Sequence, residues 1–360
     1  MEKVKSWQPW IRSGPKDLLF ILSPPFLALL MVMLFPQQFK QSNAMPVQYW
    51  VILIVMVDVA HVYSSLYRTY FNPAEFHRNR ALFIFVPLLC YLAGLALHIL
   101  DGLLFWRVLA YLAVFHFIRQ QYGFMRIYSR MQIQNRFFRL IDNVAIYTAT
   151  IYPLGYWHLS PHRNFNWFVD GDFLYAGSGQ ILPVLTVIYI VVIVTYILKE
   201  VFVSLQTRSF NIPKNLIMTG TYLSWYFGIV YYNGDMAFTT LNVISHGVPY
   251  MALVWFTEKR QYRTQKSGGN RLLKLTFSKY GLFCFAGLII LFAYLEEGLW
   301  DGLIWREHQS VFRFFQHLPN ISSPVLLALF VPLLSLPQST HYVLDGFIWR
   351  RKKQGPGGSL

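Results

Sequence analysis

The sequence predicts an all-α fold, a polytopic membrane bundle of about ten transmembrane helices with both termini in the cytoplasm. Three observations predict it. Hydrophobic residues make up 55% of the 360-residue chain and charged residues only 13%, about half the charged share of an ordinary soluble domain. The apolar residues gather into ten stretches, most close to the ~20 residues that a helix needs to cross a bilayer core. Finally, 25 of the 31 Lys and Arg residues fall on one side of the alternation that those stretches define.

The first stretch, 17–35, follows Lys3, Lys5, Arg12 and Lys16. It is longer than the apolar core of a signal peptide and has no small-residue cleavage site, so it reads as a helix. Pro24-Pro25 predicts a kink or break in it. Residues 45–67, 81–100 and 103–127 follow as predominantly apolar runs. The fifth stretch, 140–157, is the weakest, because Tyr152-Pro153-Leu154-Gly155 can end it early. Residues 180–203, 214–232, 237–256, 277–295 and 323–347 complete the set. The domain reading is a cytoplasmic segment 1–16, a single transmembrane domain 17–347, and a basic cytoplasmic tail 348–360 that begins with Arg350-Arg351-Lys352-Lys353.

A net charge of +15 would suggest a nucleic-acid partner in a soluble protein. Here the basic residues collect at the termini and in the loops after every even-numbered stretch, as the positive-inside rule requires for cytoplasmic termini. Orientation therefore accounts for the charge without nucleic acid. The loop from Lys259 to Lys279, with Gly268-Gly269, reads as a flexible cytoplasmic connector. The external segments 158–179 and 296–322 are too short to fold alone. Cys90 and Cys284 both lie in apolar runs, which excludes a disulfide framework or a paired-cysteine metal site.

Ionisable side chains inside a span cost about 2.5–3.5 kcal/mol each on insertion scales, so each requires a reason. Four histidines lie well inside: His61, His116, His246 and His341. All four sit on stretches that run toward the cytoplasm, preceding Arg68, Arg126, Lys259 and Arg350 by 7, 10, 13 and 9 residues. At the helical rise this places them in one layer roughly 10–20 Å below the interface. A single such histidine reads first as a hydrogen-bonded structural residue; the shared depth is what points further. Asp58 precedes His61 by three residues and Asp345 follows His341 by four, so each carboxylate shares a face with its imidazole. Gln338 extends that stripe, Asn242 lies one turn from His246, and Arg119 and Gln120 lie one turn from His116. A guanidinium buried at Arg119 needs an anion: Asp58, Asp345, or the head of a lipid-like substrate. His77, His98, His158, His162, His308 and His317 fall in loops or near helix ends and read as solvated or interfacial.

Neutral imidazole is the commonest transition-metal ligand, and helices that each contribute a histidine beside carboxylates build the iron sites of bundle cores. His61, His116, His246 and His341 are therefore candidate ligands of a non-haem iron. Asp58 and Asp345 are further ligands of a two-iron centre, or acceptors for the imidazole N–H groups. Nitrogen and oxygen ligands also suit manganese, zinc or copper, and a haem held between paired histidines is the alternative.

The segments Thr340-His341-Tyr342-Val343-Leu344-Asp345-Gly346-Phe347-Ile348-Trp349-Arg350 and His116-Phe117-Ile118-Arg119-Gln120-Gln121-Tyr122-Gly123 resemble an uncharacterised family of bacterial multi-pass membrane proteins. That resemblance implies the bacterial cytoplasmic (inner) membrane and names no activity. In plan, four histidines on membrane helices also resemble the Brp/Blh-type carotene dioxygenases, in which such histidines hold a non-haem iron. This second resemblance implies an O₂-dependent enzyme. The expectation is a membrane non-haem iron oxygenase or oxidase acting on a hydrophobic substrate from the bilayer. Asp58, Asp345 and Arg119 would be its catalytic or orienting groups, and an electron donor its partner. Two other classes stand beside it: a bis-histidine haem electron carrier, and a transporter whose His/Asp/Arg layer relays protons or binds substrate.

Overall fold

The computed structural model describes residues 8–41, 45–132, 135–264 and 271–349. Lys3 and Lys5, the Gly268-Gly269 centre of the basic connector and the Arg350–Lys353 run lie outside the described residues. Among the described residues there is no β-strand, and each of the ten apolar stretches is helical.

The first stretch is two helices, Gly14–Leu22 (α1) and Pro24–Leu34 (α2), bent by 50°. The bend falls where the double proline requires it, with Pro24 in the first turn of α2. Val47–Tyr67 (α3) includes a wide i→i+5 wound section at Val51–Val59. Arg80–Leu100 (α4) and Gly102–Tyr128 (α5) are separated by Asp101, whose carboxylate accepts the amides of Leu103 and Leu104 at 3.1 and 3.2 Å and caps α5. Arg136–Leu159 (α6) is capped by Asn135, which accepts the Phe138 amide at 2.7 Å. It runs through Pro153 to Leu159, so the proline does not end it as the sequence suggested. Gly179–Thr207 (α7) stops at Arg208, which adopts a left-handed conformation with φ 50°. Ile212–Trp225 (α8), capped by Asn211, continues into a wide turn at Tyr226–Tyr231. Asp235–Thr264 (α9) and Gly281–Trp305 (α10) follow. The last stretch is again a bent pair, Pro324–Leu334 (α11) and Leu336–Ile348 (α12), at 42°.

Five helices, α3, α4, α5, α7 and α10, are long and apolar enough to cross a membrane, and the count rises to seven if each bent pair is one crossing. In α7 only 11% of the most apolar stretch is buried. Val184, Val187, Val191, Leu198 and Leu205 stand exposed along it, an apolar face that water would not tolerate. The other three helices, α6, α8 and α9, do not combine the same length with the same apolarity. They carry the polar side chains Asp142, Lys214, Asn242 and His246 on buried faces.

The described chain divides into two compact units, one formed by Met1–Met45 with Phe117–Pro249 and the other by Pro46–His116 with Tyr250–Leu360. Residues of α5 and of α9 belong to both. In the first unit α6 packs on α7 and α8, and α8 packs on α2. The last contact is close enough that a Cβ on Gly220 would meet Pro25 at 2.6 Å. Ala28, Val32, Met236 and Leu241 form part of its apolar core. In the second unit α10 packs on α3, while α11 and α12 pack on α4 and α12 also reaches α3. Its core holds Val59, Tyr67, Tyr250, Trp255, Phe285, Ile289 and Phe312.

Candidate metal centre

His61, His116 and His341 reach one place in the second unit from α3, α5 and α12. Each is almost wholly buried, at 1%, 2% and 2% exposure. One ring nitrogen from each lies within 4.8 Å of the other two. The Nε2 atoms of His116 and His341 are 3.2 Å apart, and their rings cross at 68° with centroids 4.6 Å apart. The His61 ring lies nearly parallel to His116 at 6.4 Å and crosses His341 at 5.1 Å.

Local sequence explains how α3 and α12 present these groups. The wide turns of Val51–Val59 end just before His61, and such turns re-aim side chains at functional positions. Helix α12 restarts after the bend with Pro337 in its first turn. From there Gln338, His341, Asp345 and Trp349 recur at intervals of three and four and share one face.

The carboxylates stand behind the imidazoles, outside the three-histidine group. Asp345 Oδ2 lies 3.4 Å from His116 Nδ1, while its Oδ1 accepts the Tyr250 hydroxyl and the Trp349 indole N–H, each at 2.7 Å. A carboxylate at Nδ1 keeps the proton on that nitrogen and leaves the lone pair on Nε2. Asp58 Oδ1 lies 3.7 Å from His61 Nδ1 and is 32% exposed. Two nitrogens that each sit ~2.1 Å from one tetrahedral ion are about 3.4 Å apart, and the 3.2 Å between His116 and His341 is close to that spacing. Three buried imidazoles with converging nitrogens thus suit a shared cation.

Tyrosines and acids border the group. Tyr250 sets its ring edge against His341 at 5.1 Å, and Tyr342 lies 5.3 Å from His116. Glu296, buried on α10, accepts the Tyr63 hydroxyl at 2.6 Å and the Gln338 amide at 3.2 Å. The sequence reading placed Glu296 at the start of an external segment. Instead α10 continues through Glu296-Glu297 to Trp305, with Glu296 accommodated inside the unit by Tyr63 and Gln338. In the sequence Trp349 is marked by its i+4 spacing from Asp345, and nothing local marks Tyr250.

His246, the fourth expected ligand, belongs to the first unit. Its ring stacks on Phe117 at 3.5 Å and 5°, and its carbonyl accepts the Gln120 amide at 2.9 Å. Arg119 also belongs to the first unit and corrects an expectation. It is exposed, and among the described residues it forms no ion pair with Asp58, Asp345 or any other carboxylate; it donates to the Tyr147 hydroxyl and lies over the Tyr122 ring at 4.8 Å. The aromatic contacts supply the partner that the sequence reading sought in an anion. His308 packs its ring against Trp50 at 3.7 Å and is half-buried.

Sequence reasoning also missed a buried ionic group in the first unit. Lys199 bonds to Asp142 and, at 2.5 Å, to Glu200. Lys214 bonds to Glu200, whose other oxygen accepts Asn215 at 2.8 Å. Lys199 and Lys214 are among the 25 basic residues on the cytoplasmic side of the predicted topology, yet both are buried.

Comparison of the chain with protein-family models, with curated proteins and with solved structures gives no match.

Proposed function

We propose that the chain is an integral membrane metalloprotein whose ion is held by His61, His116 and His341, and that it acts as a non-haem iron oxygenase or oxidase on a hydrophobic, lipid-like substrate. The observation that carries this reading is the convergence of three buried ring nitrogens within 4.8 Å. Imidazole ligation with positions left open suits iron, as it does zinc, copper and nickel, and iron is the ion this reading adopts. Bound there, iron would supply the activation of dioxygen. The chain's own part is to fix the imidazoles. Asp345, held by Tyr250 and Trp349, orients His116, and Asp58 stands at the Nδ1 side of His61. The 3.2 Å between the His116 and His341 ring nitrogens leaves no room for a macrocycle between them, which favours a bare ion over a haem held by that pair. The same reading includes ten crossings with both termini in the cytoplasm, in a bacterial inner membrane, with substrate arriving from the bilayer and electrons from a separate donor.

Metal analysis of the full-length protein tests it. About one iron per chain is expected, with His116→Ala and His341→Ala each losing most of it. Asp345→Asn is expected to weaken metal binding by about 10- to 100-fold. Native protein that neither carries metal nor takes up ferrous ion would overturn the reading.

A further inference from the structure

Helices α7 and α8 both pack on α6, and between them lies a cavity of about 670 Å³. Pockets that bury a small ligand measure about 300–1,000 Å³. Tyr189, Ile193, Ile197 and Val201 recur every four residues along its α7 wall, and Tyr222 and Tyr226 line it from α8. One flank is open, since Ile197 and Val201 are 52% and 50% exposed. Both belong to the apolar surface of α7, a helix long and apolar enough to cross a membrane, so in a bilayer the opening faces hydrocarbon.

The two ends of the groove differ. At one, Tyr189 meets Tyr222 and Tyr226, with ring centroids 5.5 and 6.2 Å away. Eleven residues further along α7, about 16 Å, Tyr196, Glu200 and Asn215 make the lining polar. The Tyr196 hydroxyl donates to Asn215 Oδ1 at 2.9 Å, and Asn215 Nδ2 donates to Glu200 Oε2 at 2.8 Å. Glu200 Oε1 accepts Lys199 at 2.5 Å and also Lys214, while Lys199 bonds to Asp142. Two acids and two lysines balance, so this end is polar without net charge.

We propose that this groove binds a neutral lipid alcohol from the membrane, its apolar chain between α7 and α8 and its hydroxyl at Glu200 and Asn215. A carboxylate or phosphate head would come up against the Glu200 carboxylate. An ammonium head would duplicate the lysines already bonded to it. A hydroxyl can donate to Glu200 Oε2, which has accepted one hydrogen bond from Asn215, and brings no charge out of water. The groove belongs to the first unit and does not depend on the three-histidine reading.

Titration of the full-length protein in detergent with tritiated hexadecanol tests this. Saturable binding is expected. Unlabelled hexadecanol should displace the label at about tenfold lower concentration than palmitate or hexadecane, which share its chain length but not its head, as a hydrogen bond to a charged acceptor implies. Val201→Trp, at a half-exposed position that accepts bulk, should abolish the binding by filling the groove. Val187→Trp, exposed on α7 outside the lining, should leave it unchanged. Native protein without saturable binding overturns the proposal, and so does binding that survives Val201→Trp or is lost equally in both variants. Palmitate or hexadecane competing as well as hexadecanol overturns it too, since the polar end would then select nothing.

Discussion

Lys214 has none of its surface exposed, an extreme position for an ammonium group, and it is tolerable only because Glu200 and Asp142 meet it. Removing one member of a buried ion group leaves its partner's charge stranded, at a cost of about 3–5 kcal/mol, whereas removing both can be neutral. Lys214→Met is therefore expected to lower the unfolding midpoint in detergent markedly, and Lys214→Met/Glu200→Gln to recover part of the loss. Equal midpoints for Lys214→Met and the native chain would show that the group contributes nothing. Residues of this kind are the least legible in a sequence. Asp142 and Lys199 are 57 positions apart, and no local pattern reports which two helices will meet. Asp345 and His341 were legible because four positions on one helix fix a shared face before any tertiary contact is known.

At the scale of elements, the helices were readable because a bilayer demands long apolar runs, and each of the ten stretches is indeed helical. Their ends were less so. Polar residues were read as punctuation, yet Glu296 is inside α10, where Tyr63 and Gln338 satisfy it. The far end of α10 depends on small residues, since the short helix Arg313–His317 folds back against it. A Cβ on Gly302 would lie 2.5 Å from the Phe315 carbonyl oxygen, and one on Gly298 would be 2.4 Å from its ring. The ring can turn aside but the carbonyl is backbone, so Gly302→Val is expected to displace the 313–317 segment. Faster proteolysis between Trp305 and Pro324 would register it. An unchanged cleavage pattern would mean that the close approach is dispensable.

At the scale of the whole molecule, charge segregation was the sequence's statement about orientation, and the burial of Lys199 and Lys214 removes two charges from that tally without reversing it. The topology that we propose predicts opposite accessibility for Gln132 and Asp170. Cysteines placed there should react with an impermeant maleimide from the outside only at position 170, and labelling at 132 in intact cells would sink the assignment. Depth along the helices singled out four histidines, and three of them, His61, His116 and His341, meet. Which ring nitrogens converge was not legible, because rotation of each helix about its axis leaves no trace in a hydropathy pattern.

The Trp349 indole that donates to Asp345 also carries the Arg68 guanidinium over its face at 5.2 Å, and Arg68 is bonded to Glu258 at 2.7 Å. A carboxylate that aims a buried imidazole is thereby tied to the last described residue of the chain and to the ends of α3 and α9. For anyone engineering this protein, the practical boundary for a fusion or purification handle lies beyond Trp349. A splice closer in would loosen the imidazole of His116 from a distance, and metal lost that way would be mistaken for a missing ligand.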